Sequence, residues 1–92
     1  MRREVIPSGA FKRDYKRLTK STRHDLKLIK DVVDALANGQ DLNAKYKDHA
    51  LVGNWRDHRE CHIQPDWLLI YRIESETLFI VRTGSHAELF GK

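Results

Sequence analysis

The chain has 92 residues, 40% of them apolar and 33% charged, with a formal net charge of +4. That length supports one hydrophobic core rather than two, so a single domain over residues 1–92 is expected, and the composition excludes a disordered polypeptide. No apolar run approaches the roughly 18–20 residues of a membrane span. Met1-Arg2-Arg3-Glu4-Val5-Ile6-Pro7 lacks the apolar stretch of a secretory leader, and the lone Cys61 excludes an internal disulfide, so a reducing cytoplasm is the expected setting.

Charge is unevenly distributed. Residues 1–30 hold ten Lys or Arg against three acids, whereas residues 31–92 hold seven against ten. A cationic first third suits a phosphate-rich partner, because an asymmetric basic face attracts polyanions; a solvated helix surface would give the same pattern.

Residues 3–7 read as a short strand ended by Pro7. Ser8 then caps a helix running to about residue 20. Phe11, Tyr15 and Leu18 share one face of that helix, with Lys12, Arg13, Lys16, Arg17 and Lys20 opposite. Thr22 and Asp25 stand at capping-box spacing for a second helix, which places His24 in its first turn. Leu26, Leu28, Ile29, Val32, Val33, Leu36 and Ala37 form a wide apolar stripe, suited to contact with both a sheet and the first helix. Asn38-Gly39 stops this helix. Residues 40–53 form a polar connection long enough to suggest a functional loop.

Three strands follow. Residues 57–63 alternate, with Arg59, Cys61 and Ile63 on one face and His58, Glu60 and His62 on the other. Gln64-Pro65 turns the chain. Residues 67–73 are almost continuously apolar, as in a central strand covered on both faces. Glu74-Ser75-Glu76 turns into a last strand at residues 77–83. The three form an antiparallel meander, with the helices packed on one face and His62 on the other.

His49, His62 and His86 each stand at an element boundary that such a meander brings towards one end of the sheet, and Asp66 opens the central strand. Taken singly, each fits an ordinary half-exposed position. Together they suit acid–base chemistry, because an imidazole with an unperturbed pKa of about 6.5 exchanges protons at neutral pH. Around a phosphodiester, such groups could take a proton from a ribose 2′-OH and return one to the leaving 5′-oxygen, each transfer contributing about 10²–10⁴-fold. Arg82 could balance charge on the transition state. Trp55, Trp67 and Phe90 offer stacking surfaces for bases, or plain core. His49, His62, His86 and Asp66 could also make a nitrogen–oxygen metal site, but no H-E-x-x-H or paired C-x-x-C spacing is present. Cys61 reads as a small core hydrophobe. His24 and His58 fall outside the group.

Tyr46-Lys47-Asp48-His49, Gly53-Asn54-Trp55, His62 with Gln64-Pro65-Asp66-Trp67, and Arg82-Thr83-Gly84-Ser85-His86 through Leu89-Phe90-Gly91 carry a specific pattern. They closely resemble the YafQ branch of the RelE/ParE toxin superfamily, over essentially the whole chain. The resemblance implies an α+β, microbial-RNase-like fold of two N-terminal helices on a four-stranded, mainly antiparallel sheet. It implies a ribosome-dependent mRNA endonuclease, the toxin of a bacterial type II toxin–antitoxin pair. Its partners would be a cognate antitoxin, the ribosome and mRNA, with no cofactor and no metal.

Position by position, His49, His62, Asp66 and His86 match the family's catalytic residues, and Phe90 matches a residue that supports activity. Arg82 and Trp67 are expected to contact phosphate and base. Lys12, Arg13, Lys16, Arg17 and Lys20 are expected to bind ribosomal RNA. The implied reaction gives a 2′,3′-cyclic phosphate and a 5′-OH end. Ala50 departs from the family in standing where a proline commonly follows the loop histidine, and Lys92 extends one residue past a common terminal glycine. Two alternatives share the fold, a ParE-like gyrase inhibitor and an inactive toxin that only binds antitoxin. Fold alone does not separate them from a nuclease; the histidines favour the nuclease.

Overall fold

The apolar run that begins at Trp67 becomes the middle strand of a five-stranded sheet in the computed structural model, which describes residues 2–91. Met1 and the additional Lys92 lie outside the described residues. In chain order the elements are β1 (Glu4–Pro7), α1 (Gly9–Leu18), α2 (Leu26–Ala37), β2 (His49–Ala50), β3 (Arg59–Gln64), β4 (Trp67–Glu74), β5 (Thr77–Gly84) and α3 (His86–Phe90). The strand order is β1-β5-β4-β3-β2, with β1 parallel to β5 and every other pairing antiparallel.

The α+β reading and the meander hold, but the sheet has five strands rather than four. The added strand, β2, pairs only His49 with Glu60 and Ala50 with Arg59. Two residues display no period, so the polar connection hid it. The helices begin where capping chemistry dictates. Ser8 Oγ accepts the Phe11 backbone N–H at 2.9 Å and starts α1. Asp25, not Thr22, starts α2 by accepting the Lys27 N–H at 3.0 Å. His24 therefore lies in the connection before α2, not in its first turn.

Both helices cover one face of the sheet. Phe11, Leu18, Ile29, Val32 and Leu36 pack there against Cys61, Leu69, Tyr71, Leu78 and Ile80. The other face carries a smaller cluster, Leu68 and Ile70 with Leu89 of α3, flanked by Leu51, Trp55 and Phe90. Alternate residues of β4 thus enter two different apolar layers, which is why its sequence shows so little polarity. Trp67 belongs to the helix-side core, with its Nε1–H donating to Thr83 Oγ1 at 2.9 Å. Its 1% exposure rules out the expected stacking on RNA bases.

A single buried carboxylate ties α1 to this core. β1 pairs with β5 only as far as Ile80, so the Thr83 N–H beyond it needs another acceptor. Asp14 supplies one at 3.2 Å, and takes Arg82 Nε at 2.6 Å and Arg82 Nη2 at 3.0 Å. The strand register shifts at this point, leaving Val81 as an extra residue. Ile80 and Thr83 consequently both reach the helix side although three positions apart. Burial works against the Asp14 charge, but the Arg82 hydrogen bonds, the Thr83 N–H and the positive charges of Arg82 and Arg17 outweigh it, so the carboxyl titrates below its ordinary value.

Asp14→Ala should therefore cost about 3 kcal/mol at pH 7, by leaving a half-buried guanidinium and a buried N–H without an acceptor. Because the folded carboxyl titrates low, the stabilisation is present above the unfolded value of about 3.9 and is lost as pH falls through the lower folded value. Urea unfolding should show a wild-type advantage over Asp14→Ala that is large at pH 7 and shrinks in strong acid.

Candidate active site

The connection that carries His49 is fastened at Asp48. The Tyr71 hydroxyl donates to Asp48 Oδ1 at 2.6 Å, and Arg59 approaches the same carboxylate through Nε and Nη2 at 3.3 and 3.4 Å. Burial, then the neighbouring Asp48, pushes the Tyr71 phenol well above its ordinary pKa, so it remains a donor. Lys47, at φ 50°, turns the chain into β2. His49 Nδ1–H donates to the Lys47 carbonyl at 2.7 Å. A carbonyl only accepts, so Nδ1 holds the proton and Nε2 is the basic nitrogen.

Pairing of β2 with β3 brings Glu60 opposite His49, and Glu60 shares its strand face with His62. His62 Nε2 lies 3.1 Å from Glu60 Oε1, and His49 Nε2 lies 3.9 Å from the same oxygen. Glu60 is only 4% exposed, a carboxylate enclosed between two imidazoles. Sequence reasoning placed Glu60 beside His62 on the alternation of β3 but gave it no role, because the strand that delivers His49 was not visible.

His86 is placed from the other side. Gly84 ends β5 at φ 156°, where an added Cβ would come within 2.9 Å of Glu88 Oε1. Ser85 then caps α3 in a capping box: its Oγ accepts the Glu88 N–H at 3.1 Å while Glu88 accepts the Ser85 N–H at 2.8 Å. His86 is thus the first residue of the helix. Asp66 Oδ1 accepts both the His86 backbone N–H at 3.0 Å and its Nδ1–H at 2.8 Å, which leaves Nε2 directed away from the carboxylate. The backbone N–H and then the ring hold the Asp66 carboxyl below its ordinary pKa, helped by the charges of His86 and His62.

These restraints line up four rings. Centroids are 6.2 Å apart for His49 and His62, 5.6 Å for His62 and His86, and 6.4 Å for His86 and Phe90. Trp55 stands edge-on to Phe90 at 6.5 Å. The expected group of His49, His62, Asp66, His86 and Phe90 is therefore assembled. Arg82 is brought to Asp14 rather than to the histidines, which leaves only Nη1 uncommitted. Lys12, Arg13, Lys16, Arg17 and Lys20 are all exposed, although Arg17 pairs with Asp14 at 3.3 Å and Glu88 at 3.1 Å. Cys61 is fully buried, and desolvation followed by the Asp48 and Glu60 charges pushes its thiol up to about 12, too high for a nucleophile at neutral pH. Ligand atoms of His49, Glu60 and His62 all lie within 4.8 Å of one another, so these three could hold a borderline cation. They come from two strands, which linear spacing rules do not register.

Two helices over a mainly antiparallel sheet, with carboxylate-oriented imidazoles on the opposite face, define the class: a small α+β toxin fold equipped for acid–base chemistry. The chain belongs to the YafQ family, the bacterial toxins of type II toxin–antitoxin systems, whose pattern it matches over residues 3–91. It is 39% identical over 92 residues to the mRNA interferase toxin YafQ of Escherichia coli, covering 99% of each chain. Its fold superposes on the toxin in the crystal structure of the Escherichia coli DinJ–YafQ toxin–antitoxin complex with a TM-score of 0.89, at 39% identity and covering 99% of this chain and 100% of that one. The crystal structure of a metal-bound toxin from Helicobacter pylori gives a TM-score of 0.89 at 50% identity, covering 96% and 99%.

Tyr71→Phe should cost about 2 kcal/mol, since it removes a donor to a charged acceptor. Faster amide exchange at residues 48–50 with the rest of the sheet unchanged would show that Tyr71 secures the His49 segment.

Proposed function

We propose that this chain is a ribosome-dependent endoribonuclease that cleaves mRNA, acting as one toxin domain in the bacterial cytoplasm and neutralised by a cognate antitoxin. The observation that carries the reading is the His49–His62–His86 line. His49 and His86 each have Nδ1 engaged by an internal acceptor and Nε2 left for substrate, and His62 between them lies against Glu60 at 3.1 Å. The Escherichia coli relative is an mRNA interferase toxin and its crystal structure is that of a toxin–antitoxin complex, which supports both activity and partner. Among the described residues no helix is long and apolar enough to cross a membrane.

A basic imidazole nitrogen takes the proton of the ribose 2′-OH as the 2′-oxygen bonds to phosphorus. The P–O5′ bond breaks, and a protonated imidazole delivers its proton to the departing 5′-oxygen. The products are a 2′,3′-cyclic phosphate and a 5′-OH end. Asp66 fixes the orientation and tautomer of His86, much as a triad aspartate does for its histidine. Glu60 lies against His62 at 3.1 Å. Phe90 and Trp55 shape the wall beside His86, and the outward cations of α1, Lys12, Arg13 and Lys16, together with Arg17 and with Lys20 just beyond the helix, face ribosomal RNA.

Primer extension on a reporter mRNA in a reconstituted translation system should reveal discrete cuts in register with codons only when ribosomes are present. Intact mRNA under both conditions would overturn the nuclease and favour gyrase inhibition or an inactive toxin. His62→Ala and His86→Ala should each lower cleavage about 10²–10⁴-fold without loss of antitoxin binding. Charge reversal at Lys12 and Lys16 should weaken ribosome binding and flatten its salt dependence, whereas an unchanged salt slope would remove α1 from the RNA interface.

A further inference from the structure

Next to the imidazole line, the end of α1, the connection to α2, the β3–β4 turn and the start of α3 enclose a cleft of about 750 Å³. Sites for small organic ligands span about 300–1,000 Å³, so the cleft is large enough for a nucleotide. Asp66 and Ser85 line it where it borders the active site. Asp66 is also the residue that holds His86, so the cleft and the ring line share a wall residue.

Two residues from the connection give the cleft its chemistry. Arg23 is exposed and, among the described residues, has no acidic partner, in contrast to Arg17, which is already paired with Asp14 and Glu88. His24 is fixed in place. Its Nδ1 meets Ser21 Oγ at 3.0 Å, and its ring stands edge-on to the buried Trp67 indole at 4.8 Å and 85°. Nε2 has no partner among the described residues. Neither residue touches the rings of His49, His62 or His86. An immobilised planar ring beside an uncommitted guanidinium is the combination that single-stranded nucleic-acid sites use, the ring for the base and the cation for the phosphate.

We propose that this cleft seats the substrate nucleotide adjacent to the cleaved phosphodiester, with Arg23 holding its phosphate and His24 reading its base. The assignment rests on Asp66 and His86 belonging to the cleaving site. Nε2 of His24 meets a base edge as donor or acceptor, so the cleft adds a sequence preference at one position beside the cut. Arg23 adds affinity without regard to sequence.

The test is primer extension on ribosome-bound mRNAs in which the nucleotides flanking each cut are permuted, using the intact toxin and its Arg23→Ala, Arg23→Lys, His24→Ala and His86→Ala variants. Antitoxin binding and thermal melting confirm that each variant is folded. Arg23→Ala should raise KM about 5-fold or more with kcat nearly unchanged and should reduce the salt slope by about one, and Arg23→Lys should restore most of the loss. His24→Ala should flatten the preference at one flanking position by about 5-fold or more. Unchanged KM and base preference in folded Arg23→Ala and His24→Ala, beside an inactive His86→Ala, would refute the cleft alone. Weaker ribosome affinity with base preference intact would assign the cleft to ribosomal RNA and overturn the substrate subsite. Full cleavage by His86→Ala would overturn the active site and this proposal with it.

Discussion

The carboxylate of Asp14 is the constraint on which the site's geometry depends. It lies at 2% exposure where β5 has outrun its neighbour β1, and it takes the backbone N–H that no strand can take. Thr83, held in this way, uses its hydroxyl to accept from Trp67 and donate to the Leu68 carbonyl at 2.8 Å. Asp66 directly precedes Trp67, and His86 follows Thr83 by three residues. The two partners of the Asp66–His86 contact therefore extend from backbone fixed by one buried network. An aspartate inside a cationic helix thus does more for the active site than any of the exposed lysines around it.

The two orienting carboxylates work under opposite conditions. Glu60 is enclosed beside both imidazoles, 3.1 Å from His62 Nε2 and 3.9 Å from His49 Nε2. Asp66 is open to water and owes its hold on His86 to geometry, with one oxygen accepting from both backbone and ring. The two carboxylates thus sit towards opposite ends of the histidine line, Glu60 against His49 and His62, and Asp66 against His86 beside the cleft.

Much of this was legible in the sequence because it depends on period and punctuation. The apolar run of β4, the alternation of β3 and the serine cap of α1 are local signals, and each appears where expected. The chemical group His49, His62, Asp66, His86 and Phe90 was legible through its pattern of flanking residues. What stayed hidden depends on contacts between distant segments. β2 is too short for any period, so Glu60 lacked its second histidine. Trp67 looked like a stacking surface because nothing local announces that Thr83 will accept its indole N–H. Asp14 reads as one more charge on a charged helix until β5 ends above it. His24 was misplaced by one competing cap, since Thr22 and Asp25 both offer an oxygen and only Asp25 is used.

The position of β5 has a consequence for how the molecule comes into being. The first strand synthesised, β1, has β5 as its neighbour, and β5 is the last strand of the sheet to leave the ribosome. Until then Glu4–Pro7 has no ladder to join and Thr83 is not available to Asp14. Contacts this far apart in sequence form late and together. A chain cut short before residue 77 has no partner strand for β1 and lacks the ring that Asp66 is placed to hold.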